Sequence, residues 1–260
     1  MIKNTKIIRF NINEKIEPPD EVKKDFDIID GYEDSIKKYI YDNISVMQSI
    51  DEAAFFQSRV QLSLSSILLR SLYLKEGIVV ALNENNLASM YSNLKSFLEI
   101  PAMLGYVLYS LGRNISNEET LEIFTDLTMG NKEAGVLSSG SRRAVNVITM
   151  FEKSELVLPK KELEAEGKKN LINVGQIIFD FYQDICNYGH PNYNAHFGIV
   201  GNFDKNGVWR IQEGKREEVW GGFKPHLLTA IETIKFLCEK IVNHHRASNF
   251  TDLKNKLYFS

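Results

Sequence analysis

The feature that most constrains this chain is a set of apolar residues recurring at three- and four-residue steps along much of its length. Between Ile50 and Leu82 the series is Phe55, Phe56, Val60, Leu62, Leu64, Ile67, Leu68, Leu72 and Leu74. That is the period of a helix rather than of a strand. The serines interleaved with them, Ser58, Ser63, Ser65 and Ser66, are small enough for a second helix to approach closely. Arg70 interrupts the apolar face and requires a carboxylate partner wherever it is buried.

The same period returns elsewhere. Gly31 to Ile44 reads as a first helix with Glu33 or Asp34 in its first turn. After a break at Asn83, Asn85 and Asn86, whose amides suit helix caps, a second long helix carries Leu87, Tyr91, Leu94, Leu98, Met103, Leu104, Tyr106 and Val107 up to Gly112. Pro101 lies inside it and is expected to kink or restart it near Glu99. Ser116-Asn-Glu-Glu opens a short helix with a capping signature. Gly130 to Gly140 reads as a loop, Ser141 as the cap of a helix through Glu155, and Asn170 to Tyr188 as a helix ended by Gly189 and Pro191. The period changes at about 197–212, where Phe197, Ile199 and Val200 and then Val208, Trp209 and Ile211 flank an Asp204–Gly207 turn, the pattern of a hairpin. Pro225 to His245 closes the chain as a helix. The expected fold is mainly α: a helical bundle with one small β-hairpin before the last long helix. Residues 1–30 read as an irregular segment, 31–250 as a single helical domain, and 251–260 as a tail.

Composition narrows the function classes. The net charge of −3 does not favour broad attraction to a phosphate backbone. Cys186 and Cys238 are the two cysteines, far apart and in helical contexts, which points to a reducing compartment. The first residues lack the apolar core of a signal peptide. The longest uncharged stretch, Ile100 to Gly112, is short of the roughly 20 residues of a membrane span. A cytoplasmic protein without a membrane contact is expected.

Chemistry concentrates in Tyr182 to His196, YQDICNYGHPNYNAH. Helical spacing puts Tyr182, Cys186 and His190 near one face, with Asn187 three residues before His190. Histidine titrates near neutrality and is the natural proton shuttle. Against this stands a structural role, in which His190 caps and packs. A second cluster is Lys95 and Glu99, four residues apart on an otherwise apolar helix and able to pair, with Tyr106 further on. Candidate catalytic residues are therefore His190, Asn187, Glu99 and Lys95. Candidate binding residues are Tyr106, Tyr182, Asn192, His196 and Arg70. Cys186 and His190 supply two ligands where zinc needs three or four, and His196, His226, His244, His245 and Cys238 have no ligand spacing. No metal or cofactor is expected. Ser138 to Arg143 leads into a helix and has the donors for a phosphate, although an ordinary capped start explains it equally.

Lys95, Glu99, Pro101, Ala102, Gly105 and Tyr106, followed by Tyr182, Cys186, His190, Pro191 and Asn192, form a pattern that resembles the HEPN-like helical-bundle group, over roughly residues 50–245 in layout. The resemblance implies a helical bundle, a protein partner or homodimer, and a setting in bacterial defence or toxin-related systems, where many members are ribonucleases. Catalytic members pair an arginine with a histidine across four to six residues. Here the matching positions hold Gln183, Asp184 and Ile185 before His190, and Gly189, His190 and Pro191 before His196. The expected function is an interaction or regulatory module without its own catalysis. The alternatives are a metal-independent ribonuclease with His190 as acid or base, its cation supplied by Arg70, Lys95 or a second subunit, and a sensor of a small ligand or nucleotide.

Overall fold

The computed structural model describes residues 20–41, 52–84, 86–113, 116, 119, 122–124, 126–127, 145–165, 168–189, 201–203, 209–211 and 216–244. These residues are mainly helical: α1 (Asp20–Asp30), α2 (Tyr32–Lys37), α3 (Glu52–Asn83), α4 (Leu87–Gly112), α5 (Val147–Glu155), α6 (Val174–Gly189) and α7 (Arg216–Asn243). Two antiparallel hairpins accompany them, β1 (Lys160–Ala165) with β2 (Lys168–Asn173), and β3 (Gly201–Phe203) with β4 (Trp209–Ile211). Among the described residues no helix is long and apolar enough to cross a membrane.

Several elements form as their sequence dictates. α3 runs unbroken through the apolar series. The side chain of Asn86 accepts from the Ser89 amide and so caps α4. Ser116 and Glu119 form a reciprocal capping box: the Glu119 amide donates to Ser116 Oγ (3.1 Å) and the Ser116 amide to the Glu119 carboxylate (2.9 Å). The expected hairpin before the last helix is present, pairing Gly201 with Ile211 and Phe203 with Trp209.

Other elements depart from the sequence reading. Residues 20–30, read as irregular, form α1, because Phe26 and Ile29 are buried and anchor it. Gly31 is a turn between α1 and α2, and α2 stops at Lys37 rather than near Ile44. α4 passes through Pro101 without restarting. The ring deletes one backbone donor, but its neighbours Ile100, Ala102, Met103 and Leu104 are all buried and hold the turns on either side. α5 starts at Val147, where Asn146 rather than Ser141 is the cap and accepts from the Ile148 amide at 2.9 Å. A second hairpin, β1–β2, precedes α6, so the expectation of a single hairpin and of a helix from Asn170 is corrected. Its register runs from Lys160 opposite Asn173 to Ala165 opposite Lys168. Asn173 then caps α6. Its Oδ1 accepts from the Gly175 amide (2.7 Å), while its Nδ2 donates to the carbonyl of Glu155 (2.8 Å). α7 begins at Arg216, upstream of Pro225, which is exposed within it. The carbonyl that Pro225 leaves without a donor belongs to Gly221, itself exposed, so water can satisfy it.

The chain divides into two compact units. The first comprises Met1–Ser35, Ser71–Glu99 and Ile178–Glu232; the second comprises Ile36–Arg70, Ile100–Ile177 and Thr233–Ser260. In the first, Tyr32 is fully buried, hydrogen-bonded with Ser71 Oγ at 2.8 Å and set edge-on against Phe97. Lys224 closes an ion pair on Asp25 at 2.6 Å. In the second, Ser65 Oγ accepts from the Tyr41 amide. There α4 and α5 touch at Gly105: a β-carbon at that position would stand 2.9 Å from Cα of Ser154 and closer still to its β-carbon. Only glycine permits this approach.

Candidate functional site

The first unit brings together four of the residues singled out in the sequence, Lys95, Glu99, Tyr182 and Cys186. α4 presents Tyr91, Lys95 and Glu99 one turn apart, and α6 presents Tyr182 and Cys186 one turn apart. The two helices run antiparallel along this line. Tyr91 stacks on Tyr188 (centroids 4.7 Å, planes 11° apart), while Glu99 meets Tyr182 nearer the other end. The Tyr182 hydroxyl is hydrogen-bonded with Cys186 and donates to the Glu99 carboxylate. Lys95 Nζ lies 5.8 Å from the centre of the Tyr182 ring. Lys95 and Glu99, which their spacing lets pair, both lie against Tyr182.

The electrostatics follow from burial. Tyr182 is buried, and desolvation, then Cys186 and Glu99, raise its phenol well above the ordinary value. Desolvation does the same to Tyr91, with Tyr188 adding to it, and brings that phenol to about 12. Both phenols are neutral donors at physiological pH. A network of this kind has acceptors and donors matched within itself, which suits a structural fastening between helices.

The remaining candidates are placed as follows. Asn187 is exposed on α6. Arg70, at the middle of α3, is exposed too, and it belongs to the second unit. Tyr106 also belongs to the second unit, where Tyr109, Arg113 and Asp126 are its electrostatic neighbours. His190, Asn192 and His196, with the Ser138–Arg143 loop, lie outside the described residues.

Three features escaped the sequence reading. Lys75 is 4% exposed on α3; burial lowers its pKa, and Asp30, Glu33 and Glu76 act against that shift. A lysine in the middle of a run of apolar residues was the available signal. His226 stacks on Phe181 (centroids 3.9 Å, 26°), and its Nδ1 is buried with no hydrogen-bond partner among the described residues. Burial lowers its pKa while Asp184 opposes. Nothing in the sequence pairs Phe181 with His226.

The third feature is on α3. Four large apolar side chains on it face outward: Leu62, Leu69, Tyr73 and Val80 are 36%, 37%, 61% and 42% exposed, with the exposed Ser66 in the same strip. At 100° per residue these four fall within about 40° of one another around the helix axis. Comparison with models of protein families, with curated proteins and with solved structures gives no match to this chain.

Proposed function

We propose that this chain is an interaction or regulatory module of the HEPN-like kind, serving a bacterial defence or toxin-related system through a protein partner and without catalysis of its own. The observation that carries this reading is the apolar line on α3. A helix exposed on one side should carry polar residues there. α3 instead turns Leu62, Leu69, Tyr73 and Val80 outward, in steps of seven, four and seven residues. That is the spacing with which one helix seats against another. Large apolar side chains gathered on one exposed strip of a helix mark interaction sites. Tyr73, the most exposed of the four, is the type of residue that anchors protein interfaces. The matched network of Glu99, Tyr182 and Cys186 fits the same reading, because its polar groups serve one another.

The test combines sedimentation velocity over a range of concentrations with crosslinked capture from cells. The wild type is expected to run as an assembly, with itself or with a captured protein. The Leu69→Lys, Tyr73→Glu variant is expected to run alone with unchanged helical circular dichroism. A wild type that stays monomeric and captures nothing the variant does not would contradict the proposal.

A further inference from the structure

We propose that Tyr106, Tyr109, Arg113 and Lys153 form a binding site for a phosphate-class oxyanion. All four lie in the second unit, and none is on α3. The sequence builds the site in two steps. Tyr106, Tyr109 and Arg113 are spaced by three and four residues at the end of α4, so they share one face. Gly105 then lets α5 touch α4 at Ser154, which brings the neighbouring Lys153 to Tyr109. Lys153 Nζ lies 5.4 Å and Arg113 Cζ 5.9 Å from the centre of the Tyr109 ring.

Each cation sits at the C-terminal end of its own helix, where positive charge is favoured. That placement explains each one singly but not why both turn onto the same ring. The attraction of a half-exposed ring for a cation is weak, and the two cations repel each other. Neither is ion-paired with a carboxylate among the described residues. A shared anion resolves the repulsion. The donors suit a tetrahedral oxyanion: a guanidinium that bonds two oxygens at once, an ammonium acting as a point charge, and two phenolic hydroxyls. Burial keeps the Tyr106 hydroxyl protonated, with Asp126 and Tyr109 acting in the same sense and Arg113 against it. Among the described residues Asp126 is the carboxylate that acts on Tyr106, and it opposes an incoming anion.

The experiment is isothermal titration of the full chain at low ionic strength, in chelator, with inorganic pyrophosphate and separately with ADP. Pyrophosphate is expected to bind the wild type. Arg113→Ala and Lys153→Gln are each expected to weaken binding about tenfold or more, and Asp126→Asn to strengthen it several-fold. Thermal melts of each variant establish that the fold is intact. ADP binding no tighter than pyrophosphate identifies the phosphates alone as the ligand; tighter ADP binding, still lost in Arg113→Ala, identifies a nucleotide. Absence of pyrophosphate binding, or binding that none of the three substitutions changes, would overturn the proposal.

Discussion

Two stretches of α4 carry polar clusters of different charge balance, one neutral and one net positive. In the first, Lys95 and Glu99 meet Tyr182 and Cys186; the carboxylate accepts a hydrogen bond from the phenol, and the ammonium lies over the same ring. In the second, Arg113 and Lys153 both lie against Tyr109, with the carboxylate of Asp126 acting on the neighbouring Tyr106. One half-buried carboxylate that accepts directly from a phenol makes the difference. Where it is present, the donors are satisfied from within and the cluster fastens two helices. Where the cations have no such partner among the described residues, the proposed anion serves them. Residue type alone does not separate the two cases, since each contains a lysine and a tyrosine four residues or fewer from another polar group.

The comparison breaks most visibly at Gly105. Gly105→Leu forces α5 away from α4 at Ser154 and is expected to cost about 1–3 kcal/mol by overpacking. It should also abolish pyrophosphate binding, because Lys153 leaves Tyr109; thermal melts and titration read the two effects together. In the first cluster, Glu99→Ala leaves the Tyr182 hydroxyl with Cys186 alone and is expected to cost about 1 kcal/mol in urea denaturation. Glu99→Ala and Tyr182→Phe together should cost less than their sum, with a coupling of roughly 1 kcal/mol.

The pH dependence sharpens the same contrast. The Tyr182 pKa is raised in the folded state, so its contribution is fully present below the unfolded value of 10 and is lost as pH rises above it. Wild type should lose stability through that window, and Tyr182→Phe should lose less. His226 behaves in the opposite way. Its folded pKa is below the ordinary 6.5, so stability falls as pH drops from 6.5 through the folded value, and His226→Phe should flatten that acid limb. The smallest effect is Arg113→Ala, expected to change stability by less than about 0.5 kcal/mol, because the second cluster does not hold the fold.

Much of this architecture was legible in the sequence because local chemistry decided it. Asn86 and the Ser116–Glu119 box capped helices where they were expected to. The β1–β2 hairpin was not legible, since Lys160-Lys-Glu-Leu-Glu-Ala has the charged, alternating composition of a solvated helix as much as that of a strand. The start of α7 was hidden by Gly221, Gly222 and Pro225, three residues that usually interrupt a helix, and the buried Phe223 and Leu227 sustain it through them. The Lys95–Glu99 and Tyr182–Cys186 faces followed from spacing alone. The convergence of Lys153 on Tyr109 did not, because it depends on a glycine contact between segments distant in sequence.

The proposed role is binding without chemistry. The direct measurement is incubation of the purified full chain with labelled total RNA in chelator, beside His190→Ala. The account predicts intact RNA with both proteins. Cleavage by the wild type that His190→Ala abolishes would contradict it.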